Sequence, residues 1–115
     1  MGSSPQAGKN QLPPSQVTRL ADLISYQEGA VVSRTLVKQP AGNITVFAFD
    51  AGHGLSEHTA KFDALVQILE GQAEITISNK PFKLSSGDAI LLPANEAHAV
   101  LAPAPFKMLL TMIRS

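Results

Sequence analysis

The stretch Leu65-Val66-Gln67-Ile68-Leu69-Glu70-Gly71-Gln72-Ala73-Glu74-Ile75-Thr76-Ile77-Ser78-Asn79-Lys80-Pro81-Phe82-Lys83-Leu84 decides the fold class of this chain. Residues 65–69 are a short apolar run, and in residues 73–77 Ala73, Ile75 and Ile77 alternate with Glu74 and Thr76. A side-chain period of two puts alternate residues on opposite faces of a strand, so both runs read as β-strands. Glu70-Gly71-Gln72 between them is a turn, and Asn79-Lys80-Pro81 turns the chain again into a third run at 82–84.

The same punctuation extends in both directions. Upstream, a β-branched run at 30–38 stops at Gln39-Pro40-Ala41-Gly42-Asn43, and 44–49 ends at Asp50-Ala51-Gly52. Downstream, Ser85-Ser86-Gly87-Asp88 leads into 89–92, and runs at 97–101 and 106–113 follow, with Pro103 and Pro105 between the last two. Prolines falling between strands support these boundaries, because proline cannot donate to a sheet ladder. Many short strands with a turn between each indicate an all-β antiparallel sandwich or barrel. Residues 89–92 and 108–110 are apolar on both faces, so a second sheet or a partner subunit should cover each side. Strand alternation makes Phe47, Phe49, Val66, Ile68, Leu91 and Met108 core candidates. Val17, Leu20, Leu23 and Ile24 fall at helical spacing in a segment too brief to separate a short helix from an irregular edge. Residues 1–16, with three prolines and little to bury, read as a flexible tail ahead of a single domain at 17–115.

Composition narrows the function. Apolar residues make up 44% of the 115, enough for a packed core, whereas charged residues make up only 16%. Nine Lys and Arg balance nine Asp and Glu, and no stretch gathers the basic stripe a nucleic-acid partner needs. A neutral, sparsely charged surface favours self-association, and a homodimer is expected. The chain has no cysteine, which excludes disulfides, thiolate metal sites and cysteine nucleophiles. No apolar run reaches the ~18 residues of a membrane span. The N-terminus also lacks the apolar core of a secretory signal. No membrane partner and a cytoplasmic location are therefore expected. Neither a G-x-S-x-G nucleophile elbow nor a phosphate-cradling G-x-x-x-x-G-K motif occurs.

Two spaced motifs remain. In the first, Gly52 is followed by five residues and then His58, and Gly71 closes it; in the second, Gly87, Pro93 and His98 keep a fixed spacing. Together they resemble the two motifs of the cupin family over about residues 44–113. The family's first motif has a second histidine where this chain has Ala60, and a glutamate where it has Ala64. In the second motif Asn95 stands at a glycine position and Ala102 at the closing asparagine. The resemblance implies a double-stranded β-helix, or jelly-roll barrel, with a short N-terminal extension. It places His58 and His98 at the barrel mouth. In metal-bearing relatives, three histidines and one glutamate at these positions hold iron, manganese, zinc or nickel.

Two of those four positions are alanine here, and a divalent cation at neutral pH wants three or four protein ligands. His58 and His98 alone would make a weak, hydrated site, so no tightly bound metal is expected. Candidates for a compensating ligand are His53, in a loop between glycines, and Glu57, which needs a bulge to correct its strand parity. Glu57 can instead orient His58 through a hydrogen bond. The first functional expectation is a barrel that binds a small organic ligand, with His58 and His98 in its pocket and no firmly held metal. The second is a metal-dependent dioxygenase, isomerase or decarboxylase using His58, His98 and a nonstandard third ligand. The third is a dimerisation module with a vestigial pocket.

Overall fold

A computed structural model describes residues 11–114, and the expected tail therefore lies outside the described residues over 1–10. The elements in order are a 3-10 turn at Leu20–Leu23, then β1 (Val31–Gln39), β2 (Gly42–Phe49), β3 (Gly54–His58), β4 (Ala64–Glu70), β5 (Gln72–Ile77), β6 (Lys80–Ser85), β7 (Ala89–Leu92), β8 (His98–Leu101) and β9 (Phe106–Ile113). They form two antiparallel sheets, a five-stranded one ordered β1-β2-β9-β4-β7 and a four-stranded one ordered β3-β8-β5-β6. This is the all-β antiparallel architecture expected from the strand pattern, and the jelly roll that the resemblance implies. Among the described residues no helix is long and apolar enough to cross a membrane.

Alternation along each strand builds the interior. Phe49, Ala64, Val66, Ile68, Leu92, Phe106 and Met108 of the larger sheet meet Ala73, Ile75, Ile77, Leu84, Val100 and Ala102 from the other side. The Phe49 and Phe106 rings stack with centroids 4.5 Å apart. Each fully buried side chain of this size contributes roughly 1.5–3 kcal/mol through water released from apolar surface. Gly71 at the β4–β5 turn has φ +80°, and a Cβ there would collide with the Pro105 carbonyl oxygen. Only glycine lets that turn close against the strand beneath it.

The opposite residues of the larger sheet face outward and make a second apolar cluster of Leu36, Val46, Ala48 and Leu109 with Ile24. The N-terminal extension covers part of it. Leu12, Leu20 and Leu23 pack there, and the Leu12 N–H donates to the Leu36 carbonyl oxygen at 2.9 Å. Two cations of the sheet hold the 3-10 turn by its carbonyls: Lys107 Nζ donates to Ala21 O at 2.7 Å and Arg34 to Leu23 O at 3.3 Å. Of the residues at helical spacing in 17–26, Leu20, Leu23 and Ile24 pack against this sheet face while Val17 is fully exposed, and a single 3-10 turn is the only helical piece.

Two further readings change. Leu91, a core candidate, is half-exposed at 50%, because its neighbours Ile90 and Leu92 on edge strand β7 are the ones that turn inward. The strand that carries Glu57 and His58 is β3, Gly54–His58, and it ends before Ala60.

Candidate ligand site at the barrel mouth

His58 closes β3 and His98 opens β8, and the register places them directly opposite each other. Next along the ladder Leu55 faces Val100, so three steps on β3 match two on β8. That bulge changes the parity of the strand. Without it Leu55 and His58 would point to opposite faces; with it both join the inward-facing set of Val100 and Ala102. The bulge therefore turns His58 to the inward face, at the opening, and Glu57 to the solvent side. His98 is buried at 6% exposure, whereas His58 is exposed at the opening.

The two rings meet edge to face with centroids 4.3 Å apart, and their Nε2 atoms are 3.1 Å apart. His58 Nδ1 lies 2.8 Å from the Ser56 carbonyl oxygen, and His98 Nδ1 lies 3.2 Å from that of Glu96. Carbonyl oxygens only accept, so both Nδ1 atoms carry the hydrogen. Both Nε2 lone pairs then face one another across the mouth. The contact becomes favourable when a proton or an external donor lies between them. Burial pushes the His98 imidazole below its ordinary value, the Glu96 carbonyl opposes that, and the neighbouring His58 adds to the depression. His58 is thus oriented by the Ser56 carbonyl, a role the sequence had offered to Glu57.

The loops around the pair are pinned from the backbone. The Asn95 N–H donates to Ala60 O at 2.7 Å, and the Ala94 N–H to Asp63 Oδ1 at 2.8 Å. Asn95 has φ +69°, the left-handed region, which explains how asparagine substitutes for the motif glycine. Ala60 lies beyond the end of β3, in the loop to Ala64. Ala64 is buried and packs in the core. His53 is exposed in the β2–β3 loop, where its carbonyl oxygen accepts the Ala102 N–H at 2.9 Å. Among the described residues no three His, Cys, Asp or Glu side chains gather where they could hold a metal ion. The donor set is two imidazoles, short of the three or four that iron, manganese, zinc or nickel would require.

A cavity of about 330 Å³ lies elsewhere, lined by Gln72, Glu74, Lys83, Ser85 and Pro103 together with Ala73 and Leu84. It sits at the opposite end of β5 from Ile77, the residue paired with His98, and no histidine lines it. It is a groove between mostly exposed side chains of a sheet face, without convergent functional groups. The histidine mouth is the better candidate site.

A family model of the cupin domain matches residues 45–113. The chain belongs to the cupin family. A conserved protein of unknown function from Streptococcus pyogenes is 35% identical, with 90% of this cupin and 91% of that chain covered and a TM-score of 0.85. A cupin superfamily protein from Desulfitobacterium hafniense is 34% identical over 93% of this chain and 97% of its own, also with a TM-score of 0.85. A cupin 2 conserved barrel domain protein from Leptotrichia buccalis is 40% identical over 82% of this chain and 46% of its own, with a TM-score of 0.79. No curated protein matches the chain. Asn43, on the inward face of β2, was absorbed into a turn signal in the sequence; only the strand register reveals where it points.

Proposed function

We propose that this cupin binds a small organic molecule at its barrel mouth without a firmly held metal. The observation that carries the reading is the His58–His98 pair. Both Nδ1 atoms are engaged by backbone carbonyls and both Nε2 atoms meet at 3.1 Å. Such an arrangement fixes the rings and directs two lone pairs at one point, which is how a mostly apolar pocket places its few polar groups. Ala60 and Ala64, at the positions of the remaining family ligands, bring no charge to the site. In this reading His58 and His98 accept from the ligand, and the apolar interior packs its hydrocarbon.

The chain also fits a homodimer. On the outward face of the larger sheet Leu36, Val46 and Ala48 are already buried, whereas Leu91 and Ile113 stand 50% and 58% exposed. Burying that face against a second copy would remove apolar surface that a neutral, weakly charged protein solvates poorly.

The deciding experiment is elemental analysis of the native protein together with a thermal-shift screen of small molecules. The expected result is metal well below one equivalent and at least one stabilising compound whose effect disappears in His58→Ala. One equivalent of iron, manganese, zinc or nickel, lost in the His58→Ala and His98→Ala variants, would establish the metal-dependent enzyme instead.

A further inference from the structure

The Asn43 side-chain oxygen is buried and has no hydrogen-bond partner. The register gives it a definite place. Across the larger sheet Asn43 pairs with Met112, Met112 with Ala64, and Ala64 with Leu92. Ala64 and Leu92 belong to the interior cluster, so the side chains of that row point into the barrel. Only five residues, 59–63, separate His58 from Ala64. The Asn95 N–H donating to Ala60 O and the Ala94 N–H donating to the Asp63 carboxylate tie that connection to the turn before His98. The Asn43 row and the histidine pair are therefore the last inward-facing rows at one end of the barrel. One row deeper, the Thr35 and Thr45 hydroxyls lie 3.5 Å apart. The inward face of the β1–β2 ribbon is polar at this end, whereas Phe49 and Val31 make it apolar at the other.

These groups share one chemical character. Two imidazole Nε2 atoms and a carboxamide oxygen present lone pairs, and the imidazole N–H groups are already spent on backbone carbonyls. The Asn43 amide N–H2 and Lys38, opposite Asn43 on β1, add donors at the same end, so a partner that both donates and accepts suits it. A cation would have to enter a mouth whose inward-facing rows carry no carboxylate, which leaves its charge uncompensated. Hydroxyl groups donate without that penalty, and the C–H faces between them suit apolar walls such as Phe47 and Leu110. We propose that Asn43 is a ligand-binding residue of the barrel mouth, and that the ligand is a small polyhydroxylated molecule donating to Asn43 Oδ1 and the histidine pair. The assignment rests on the ligand-site reading above. The carboxamide torsion is soft, so a modest rotation turns the covered oxygen toward the opening when the ligand arrives.

The test compares erythritol with 1,4-butanediol, which has the same carbon chain and lacks the two inner hydroxyls. Binding is followed by NMR titration of the histidine ring and Asn43 side-chain amide resonances. Erythritol is expected to produce saturable shifts at both places, with 1,4-butanediol at least about tenfold weaker. Asn43→Leu, similar in size, is expected to weaken erythritol by about tenfold while holding or raising the Tm, since it removes an unsatisfied buried acceptor. Equal binding of the two probes, or of neither, overturns the hydroxyl assignment. Unchanged erythritol affinity in Asn43→Leu removes Asn43 from the site, and a lowered Tm in that variant makes the amide a structural group. If the thermal-shift screen still yields a compound lost in His58→Ala, the ligand-site reading survives the failure of this one.

Discussion

The two ends of the barrel are built on opposite terms. At one end Phe49 stacks on Phe106, Ala102 and Leu84 close the interior, and Gly71 lets the β4–β5 turn lie against Phe106. At the other, two histidines set lone pair against lone pair, Asn43 buries an oxygen without a partner, and Asn95 holds a left-handed backbone. Every buried group at the first end lowers the free energy of folding. Several at the second raise it, and the fold tolerates them because the first end supplies the surplus. Strain and unsatisfied polar groups gathered at one end of an otherwise apolar interior are consistent with the ligand site proposed there.

The largest test of this contrast is Phe106→Ala. Phe106 is fully buried and in stacking contact with Phe49, so truncation leaves a cavity that the rigid sheets cannot close. The expected loss is about 3–5 kcal/mol, read from denaturant unfolding, with an unchanged NMR fingerprint at His58 and His98 if any folded protein remains. A loss below about 1 kcal/mol would mean that the packed end does not anchor the barrel.

Asn95→Ala is the corresponding test of the other end and is expected to be smaller. An alanine at φ +69° loses the local tolerance of asparagine for the left-handed region, worth about 1–2 kcal/mol. Asn95→Gly should be close to neutral, because glycine adopts that backbone freely and the N–H to Ala60 is retained. Equal destabilisation by both substitutions would show that the Asn95 side chain, not its backbone, matters.

The contrast also explains what the sequence disclosed. The packed end announces itself through alternation: Phe49, Val66, Ile68 and Met108 all face inward as the strand period requires. The resemblance of the two motifs to the cupin family implied His58 and His98 at one barrel mouth, and the register sets them opposite each other. What the sequence hid was set by register. A bulge between Leu55 and His58 reverses one strand's parity, and nothing in Leu55-Ser56-Glu57-His58 signals it. Asn43 read as part of a turn because Pro40-Ala41-Gly42 dominates its neighbourhood, and only pairing with Met112 shows that it points inward. Leu91 failed in the opposite sense: an apolar run gives no parity, and the edge strand turned it to solvent.

The smallest expected effect concerns pH, and it isolates the histidine end from the apolar one. Burial and the nearby His58 hold the His98 imidazole below its ordinary value of 6.5, against the raising influence of the Glu96 carbonyl. In the unfolded chain that histidine takes up a proton as the pH falls through about 6.5, whereas the folded protein resists until lower pH. The unfolded state therefore binds more protons in this window, and stability is lost as the pH falls from about 7 toward His98's depressed value. Lone-pair opposition works the other way, because a proton placed between the two Nε2 atoms relieves it, so the loss is shallow. Tm measured across pH 5–7 should decline gently in the wild type and be flatter in His98→Gln, which keeps a polar side chain and removes the titration. Carboxylates such as Asp50, held low by the Gly29 and Ala51 N–H groups, come into play only at more acidic pH. A Tm that rises on acidification over this range would mean that the shared proton outweighs burial, and that the mouth is stabilised by charge rather than strained by it.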